Sequence, residues 1–169
     1  NGTGWRTTSY GYDEYGNVIE QTATAEGGEQ RTERYTYDPT HRFVTSHTDY
    51  EGLVTKFDYN HKGLLVRETS PLEQTTLYQY DRWDRPAKTT NFLGKNTFKR
   101  YTVSNDCYKI ITEDEEGAYS AESYSPLGYL SKKESKDALG NVYAINYYCN
   151  GVGQMVIESQ PYLSEGSDG

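Results

Sequence analysis

A short phrase returns along this chain at nearly even intervals: YGYDEYGNV at 10–18, YTYDPTHRF at 35–43, FDYNHKGLL at 57–65 and YQYDRWDRP at 78–86. Taking the second aromatic as an anchor gives Tyr12, Tyr37, Tyr59 and Tyr80, and the count continues to Val103, Tyr124 and Cys149. These seven anchors lie 25, 22, 21, 23, 21 and 25 residues apart. Two positions earlier stand Tyr10, Tyr35, Phe57, Tyr78, Tyr101, Glu122 and Tyr147. Directly after the anchors come Asp13, Asp38, Asn60, Asp81, Ser104, Ser125 and Asn150. Four after them come Gly16, His41, Gly63, Asp84, Cys107, Gly128 and Gly153. A regular period of this size means that one supersecondary unit is copied and stacked along the chain.

Each part of the phrase has a conformational reading. Residues two apart on a strand share a face, so Tyr-x-Tyr sets two aromatics side by side. Asp-x-x-Gly is a turn signature, with the carboxylate bonding its own backbone and glycine tolerating the left-handed region. An apolar residue follows the glycine at Val18, Phe43, Leu65, Leu130 and Met155 and opens a second strand. Polar residues then lead to a second kind of turn, expected to be looser, at YEGL 50–53, FLGK 92–95, EEGA 116–119 and ALGN 138–141. Helical periodicity is absent. The pattern predicts an all-β chain, an antiparallel meander of about seven hairpins and roughly fourteen strands. At about 4.8 Å per strand it would run on the order of 65 Å, and sheets of that width curl. A curved sheet with an aromatic face and a Thr/Lys/Glu face is the expectation; an ordinary β-sandwich is the alternative. The array spans 1–163, and 164–169 reads as a polar tail or linker. Pro86 falls inside a predicted strand, which suggests an edge or a bulge.

Composition agrees with ordered β structure only through its aromatics. Leu, Ile, Val and Phe number 27 of 169 residues, a fraction typical of disordered chains. The 18 Tyr and 19 Thr argue the other way, because both suit half-buried pleated surfaces. A net charge of −8 argues against nucleic-acid or anionic-membrane partners. No apolar run approaches membrane-spanning length. The opening NGTGWRTT lacks Met and suggests an excised piece of a longer protein; the Asn1-Gly2-Thr3 sequon carries no weight by itself.

The phrases at 10–18, 35–43 and 78–86 resemble the Tyr-x-Tyr-Asp-x-x-Gly-Arg-Leu pattern of the YD-repeat, or RHS-repeat, family, and the resemblance runs over about 10–160. The family includes the B and C components of bacterial Tc toxins, Rhs and wall-associated polymorphic toxins, and teneurins. The resemblance implies a sheet that spirals into a hollow shell, of which seven units would be an arc. In the bacterial toxins it implies a wall around an incompletely folded cytotoxic polypeptide, in a secreted or surface-delivered protein. Many such shells cleave themselves at Asp-Pro-x-Gly sites. Only Asp38-Pro39 is similar here, and it continues Thr40-His41, so no autoproteolytic role is carried over.

No residue cluster announces a reaction, and no cofactor or catalytic residue is assigned. Glu113, Asp114, Glu115 and Glu116 read as a solvated acidic turn rather than a catalytic pair. Asp13, Asp38, Asn60 and Asp81 should each cap their own turn; a Ca²⁺-binding ladder is the rival reading. His41 and His61 sit in corresponding turns about 10 Å apart, too far to share zinc. Ser46, His47 and Asp49 contain triad letters, but neighbours on a strand alternate faces. Trp5, Trp83, Tyr15 and Tyr50 are candidates for stacking on sugars. Cys107, in the place of a turn glycine, and Cys149, in the place of an anchor, should lie about four strands apart and stay unpaired. The leading reading is therefore a non-enzymatic scaffold that encloses a polypeptide, with neighbouring repeats and an enclosed toxin as partners. A surface adhesion or glycan-binding module is the alternative.

Overall fold

The computed structural model describes residues 6–104 and 107–164. Trp5, the Asn1 sequon, and the expected tail beyond Ser164 lie outside the described residues. All regular structure is strand: β1 (Arg6–Tyr12), β2 (Val18–Ala25), β3 (Gln30–Tyr37), β4 (Val44–Thr48), β5 (Val54–Tyr59), β6 (Leu65–Thr69), β7 (Thr75–Tyr80), β8 (Pro86–Thr90), β9 (Asn96–Ser104), β10 (Cys107–Asp114), β11 (Tyr119–Tyr124), β12 (Leu130–Lys136), β13 (Val142–Cys149), β14 (Met155–Glu158) and β15 (Tyr162–Leu163). Strand order in the sheet follows chain order from β1 to β14, and β15 pairs with β13. The described pairs are antiparallel, as short turns between consecutive strands require. Pro86 opens β8, a strand position that needs no ladder donor. Two compact units divide the chain, Asn1–Tyr78 and Gln79–Gly169.

In the first unit the register brings the anchors to one face. Tyr12 pairs with Val18, Tyr37 with Val44 and Tyr59 with Leu65. Tyr10 opposes Gln21, which opposes Glu33, two residues from Tyr35 on the same side of β3. Tyr35 opposes His47, and His47 opposes Thr55. That anchor face therefore carries Tyr10, Tyr12, Tyr35, Tyr37, Phe57 and Tyr59. It also carries Glu33 and Glu68, so the acids are not confined to the Thr/Lys face. The opposite face is rich in hydroxyls: Thr22 and Thr32 meet at 2.8 Å, and Thr36 meets Ser46 at 2.7 Å. Charged pairs interrupt it, Arg34–Glu20 at 3.1 Å and Arg67–Asp58 at 3.5 Å.

The second unit repeats the plan with one exchange. Tyr124 pairs with Leu130 in the usual way, but Val103 pairs with Tyr108. The aromatic of that unit has crossed to the partner strand, where its ring lies 6.2 Å from Tyr101 and 6.3 Å from Tyr124. At the end of the unit the pair is Cys149 and Met155. β15 continues along the same edge of β13 as β14, after an interruption at Ser159–Pro161. Ser159 donates to the Asn146 carbonyl at 2.9 Å, and Ser164 donates to the Val142 carbonyl at 2.7 Å.

One turn serves nearly every described connection. The Asp13 N–H donates to the Asn17 carbonyl at 3.0 Å, and the Gly16 N–H donates to the Asp13 carbonyl at 3.2 Å. The same pair of bonds recurs from Ala25, Asp49, Asn60, Ser70, Asp81, Asn91, Asp114, Ser125, Asp137 and Asn150, and one residue longer from Asp38. The fourth residue always has positive φ: glycine in most turns, His41, Glu73 and Asp84 at 56°, 57° and 62° in the rest. This is the three-residue hairpin loop whose last residue is left-handed. The turns expected to be looser are therefore the same turn. What separates the two sets is a register shift beside the anchors, at Gly11/Tyr12, Thr36/Tyr37, Asp58/Tyr59, Ser123/Tyr124 and Tyr148/Cys149. The β9–β10 connection departs from this scheme. Ser104 pairs directly with Cys107, so Cys107 opens β10 instead of occupying a glycine's place in a turn.

The interior is minimal. Ala23, Ala121 and Ala144 are the buried apolar residues, and no large side chain is fully buried among the described residues. Tyr35, Tyr37, Tyr59 and Tyr124 are half-buried, and Tyr10 and Tyr12 are exposed. Ladder hydrogen bonds and cross-strand side-chain pairs hold a sheet of this kind, more than burial does.

Candidate functional site: an aromatic face clasped at its turns

The first residue of each turn works through its side chain. Asp13 Oδ1 accepts from the Tyr15 and Asn17 amides at 2.9 and 2.8 Å. Asn60, Asp81 and Asn150 accept in the same way from the residues two and four beyond them. Ser125 makes one such bond, from Tyr129 at 3.2 Å. Asp38 is the most engaged: the Thr40 hydroxyl donates to it at 2.5 Å, and the Thr40, Arg42 and Phe43 amides add to it. The Thr40 hydroxyl and those amides hold its carboxyl far below the usual range. Burial pushes the Asp13 and Asp81 carboxyls up, but hydrogen bonds from Asn17 and Arg85 outweigh it and both end low. Oxygens committed to their own turns form no ion cage. Among the described residues no group of three or more metal-ligating side chains converges.

The last residue of four turns reaches the neighbouring repeat. Asn17 Nδ2 donates to the His41 carbonyl at 2.9 Å, and the His41 ring stacks on Tyr15 at 3.8 Å. Phe43 stacks on Tyr59 at 5.0 Å and lies over Gly63 so closely that a Cβ there would overlap its ring. Arg85 sits 4.0 Å over Tyr101, and Tyr129 lies over Gly153 as Phe43 does over Gly63. Two tyrosines bind backward: Tyr37 to the Val18 carbonyl at 2.9 Å and Tyr101 to the Pro86 carbonyl at 2.8 Å. Repeats that share little interior are thus clasped beside their turns within each unit. These clasp residues escaped the repeat reading because Asn, Phe, Arg and Tyr at that position show no common chemistry.

On the anchor face, phenols and carboxylates pair. The Tyr35 hydroxyl donates to Glu33 at 2.9 Å, and Glu33 lies 3.3 Å from His47 Nε2. Tyr78 donates to Glu68 at 3.0 Å and Tyr124 to Glu122 at 2.8 Å. Burial and the Glu33 carboxylate push the Tyr35 phenol up, and the Tyr124 hydroxyl keeps Glu122 ionised. On the opposite face of the second unit Glu134 is 8% exposed, 2.6 Å from Lys109 and 3.0 Å from Lys132. It lies between Ala121 and Ala144, whose small side chains leave room for the lysine stems. Burial pushes Glu134 up, but the two ammonium groups outweigh it and hold it low.

The remaining candidates resolve locally. Glu113 pairs with Arg100 at 2.5 Å, Glu115 binds the Asn96 amide at 3.2 Å, Glu116 pairs with Lys95, and Asp114 caps its turn. His47 shares a face with Glu33, whereas Ser46 points to the other side with Thr36. Each sugar-stacking candidate among the described residues is already occupied on a ring face: Tyr15 by His41, Tyr50 by Arg31 at 5.0 Å, and Trp83 by Arg82 and Arg85 at 3.8 and 4.7 Å. Cys107 and Cys149 are free, half-buried thiols.

A model of the RHS repeat matches residues 37–72 and 59–95, the stretch from the Tyr37 anchor through the Asn91 turn. Over that stretch the chain is similar to the RHS-repeat family. Structures of TcdB2-TccC3, one of them with Cdc42, share its fold with TM-scores of 0.52 to 0.53 at 13% identity. They align over 89–96% of this chain and 10–11% of their own. Double-stranded DNA deaminase toxin A of Burkholderia cenocepacia is 28% identical over 124 residues, 72% of the chain. The chain spans 7% of that toxin's length.

Proposed function

We propose that this chain is a stretch of wall, a single repeat array over 1–163 within a longer secreted or cell-surface bacterial protein, and that its anchor face encloses a toxin polypeptide. The observation that carries this is a one-layer sheet whose aromatic face has no covering layer among the described residues. Tyr35, Tyr37, Tyr59 and Tyr124 on it are half-buried, Tyr10 and Tyr12 are exposed, and no large side chain is fully buried among the described residues. An aromatic face with its phenols tied to Glu33, Glu68 and Glu122 is amphipathic: it offers contact to a chain without a strongly apolar surface. The mechanism is exclusion. Backbone ladders make the wall continuous, turn clasps keep it shut, and the guest is kept from water and from other partners. No side chain is assigned a catalytic role. The resemblance to a deaminase toxin falls within 7% of that toxin and carries no deaminase chemistry to these residues.

The test is limited proteolysis of the full-length parent. With the wall intact, the polypeptide enclosed by the repeats should survive protease that degrades it once released. With the wall opened by Gly63→Ala and Gly153→Ala together, it should be digested. Equal digestion in both would contradict enclosure. Glycan arrays probed with the chain should stay blank, since the off-period rings are already stacked within the protein.

A further inference from the structure

We infer that the anchor face of the second unit carries a groove for an extended polypeptide segment, with a ring-bearing side chain at one end and a carboxylate four residues on. It rests on the enclosure reading and names what that face would grip. Two hollows, about 610 and 480 Å³, share Ile110 in their floor. The first is lined by Val103, Tyr108, Tyr124 and Pro126 and includes no charged side chain. The second is lined by Lys99, Lys133, Glu122 and Glu134 with Tyr143 and Ile145, and Glu134 is already paired with Lys109 and Lys132.

The apolar end is where the repeat departs from its pattern. Val103 stands in an anchor's place and is 79% exposed, because the aromatic moved across the pair to Tyr108. A ring is missing from that spot, and the space has apolar walls. In the first unit the Phe43 ring stacks on Tyr59 beside its anchor turn. The other end is cationic. Lys133 pairs with Glu122 at 3.3 Å, whereas among the described residues Lys99 makes no ion pair and only lowers the Glu122 pKa through space. One uncompensated positive charge selects a carboxylate. Lys99 and Val103 are four residues apart on β9, hence about 13 Å, the span of residues i and i+4 of an extended peptide. Such a peptide presents i, i+2 and i+4 to one side, so ring and carboxylate enter the groove together.

The probe is acetyl-Phe-Ser-Thr-Ser-Glu-amide, titrated into the ¹⁵N-labelled chain. Amide shifts are expected at Lys99, Val103, Ile110 and Glu122, and should fail for versions with Ala for Phe or Lys for Glu. Val103→Tyr restores the ring that most units carry and should abolish binding without unfolding the chain. Lys99→Glu should weaken the Glu peptide by roughly three- to tenfold and favour its Lys counterpart. No saturable shifts, shifts elsewhere, or shifts indifferent to both substitutions would overturn the groove. The two readings fail separately. Peptide binding beside an unprotected guest in the parent defeats enclosure; a protected guest without peptide binding defeats the groove alone.

Discussion

The first unit keeps its tyrosines in sequence order at the ends of β1, β3 and β5, whereas the second carries one of them across a strand pair, from Val103 to Tyr108. Both arrangements keep one aromatic in the cross-strand pair, on opposite strands. The unit of repetition is therefore a position on a face, defined by pairing, and either strand of the pair can supply the ring. A second contrast lies in the turns. Their third residue is Tyr15, Gly27, Thr40, Glu51, Lys62 or Leu72 in the first unit, and mostly large and apolar in the second: Trp83, Leu93, Leu127, Leu139 and Val152, with Glu116 the exception. All of these are exposed, so the fold leaves that residue's chemistry open. What the fold does constrain is the fourth residue, and the predictions separate that requirement from the rest.

The largest expected effect is at the glycines beneath a ring. Gly63→Ala combines positive φ with overlap of Phe43, and Gly153→Ala combines it with overlap of Tyr129. Each should cost about 3–5 kcal/mol by urea unfolding, the sum of left-handed strain and overpacking. Gly94→Ala meets open space at φ 79° and should cost only about 1–2 kcal/mol. Equal losses at Gly63 and Gly94 would show that the ring contacts do not clasp neighbouring repeats.

Glu134→Ala removes the carboxylate between Lys109 and Lys132 and should cost about 2–3 kcal/mol, below the full penalty for a buried pair because the lysines can reach water. Acid acts on related groups. Asp13, Asp38, Asp81, Asp137, Glu115, Glu122 and Glu134 are all held below their ordinary values. A carboxyl depressed in the folded state stabilises above its unfolded pKa, and that stability is lost as pH falls through the folded one. The Tm should therefore hold from neutral pH to about 5 and drop below about 4. Only Asp13 and Asp38 of this set belong to the first unit, so residue-resolved acid titration should show the second yielding more.

Tyr59→Ala should cost about 2 kcal/mol rather than the amount for a fully buried ring, since Tyr59 is covered on one side by Phe43 and is half-buried. Tyr108→Val alone should cost about 1–2 kcal/mol, but Val103→Tyr with Tyr108→Val should recover most of it, to within about 1 kcal/mol of the parent sequence. A double variant no better than the single would mean that the exchange across the pair is not equivalent. Differential scanning fluorimetry resolves all three.

Much of this was legible in the sequence because strand and turn each leave a local mark. Alternation put Tyr10 with Tyr12 and Tyr35 with Tyr37 on one face, and the short polar residue after each anchor marked its turn. The equivalence of the turns at Asp49, Ser70, Asn91, Asp114 and Asp137 was hidden, because polar residues and no aromatic pair precede them. Cys107 was misplaced by counting: Ser104 pairs directly with Cys107, which opens β10 instead of standing in a turn. The clasps were not legible, since Asn17, Phe43, Arg85 and Tyr129 do one task with unrelated chemistry. Nor was the pairing of tyrosines with Glu33, Glu68 and Glu122, which depends on register.

The measurement closest to the central claim compares tyrosines on the two faces of the second unit. Tyr143, 39% exposed on the anchor face, and Tyr148, 54% exposed on the other, should both be nitrated by tetranitromethane in the isolated chain. In the assembled parent, mass spectrometry should find Tyr143 protected and Tyr148 still modified, because the anchor face turns toward an enclosed guest. Protection of Tyr148 with Tyr143 left open would put the aromatic face outside and contradict the account.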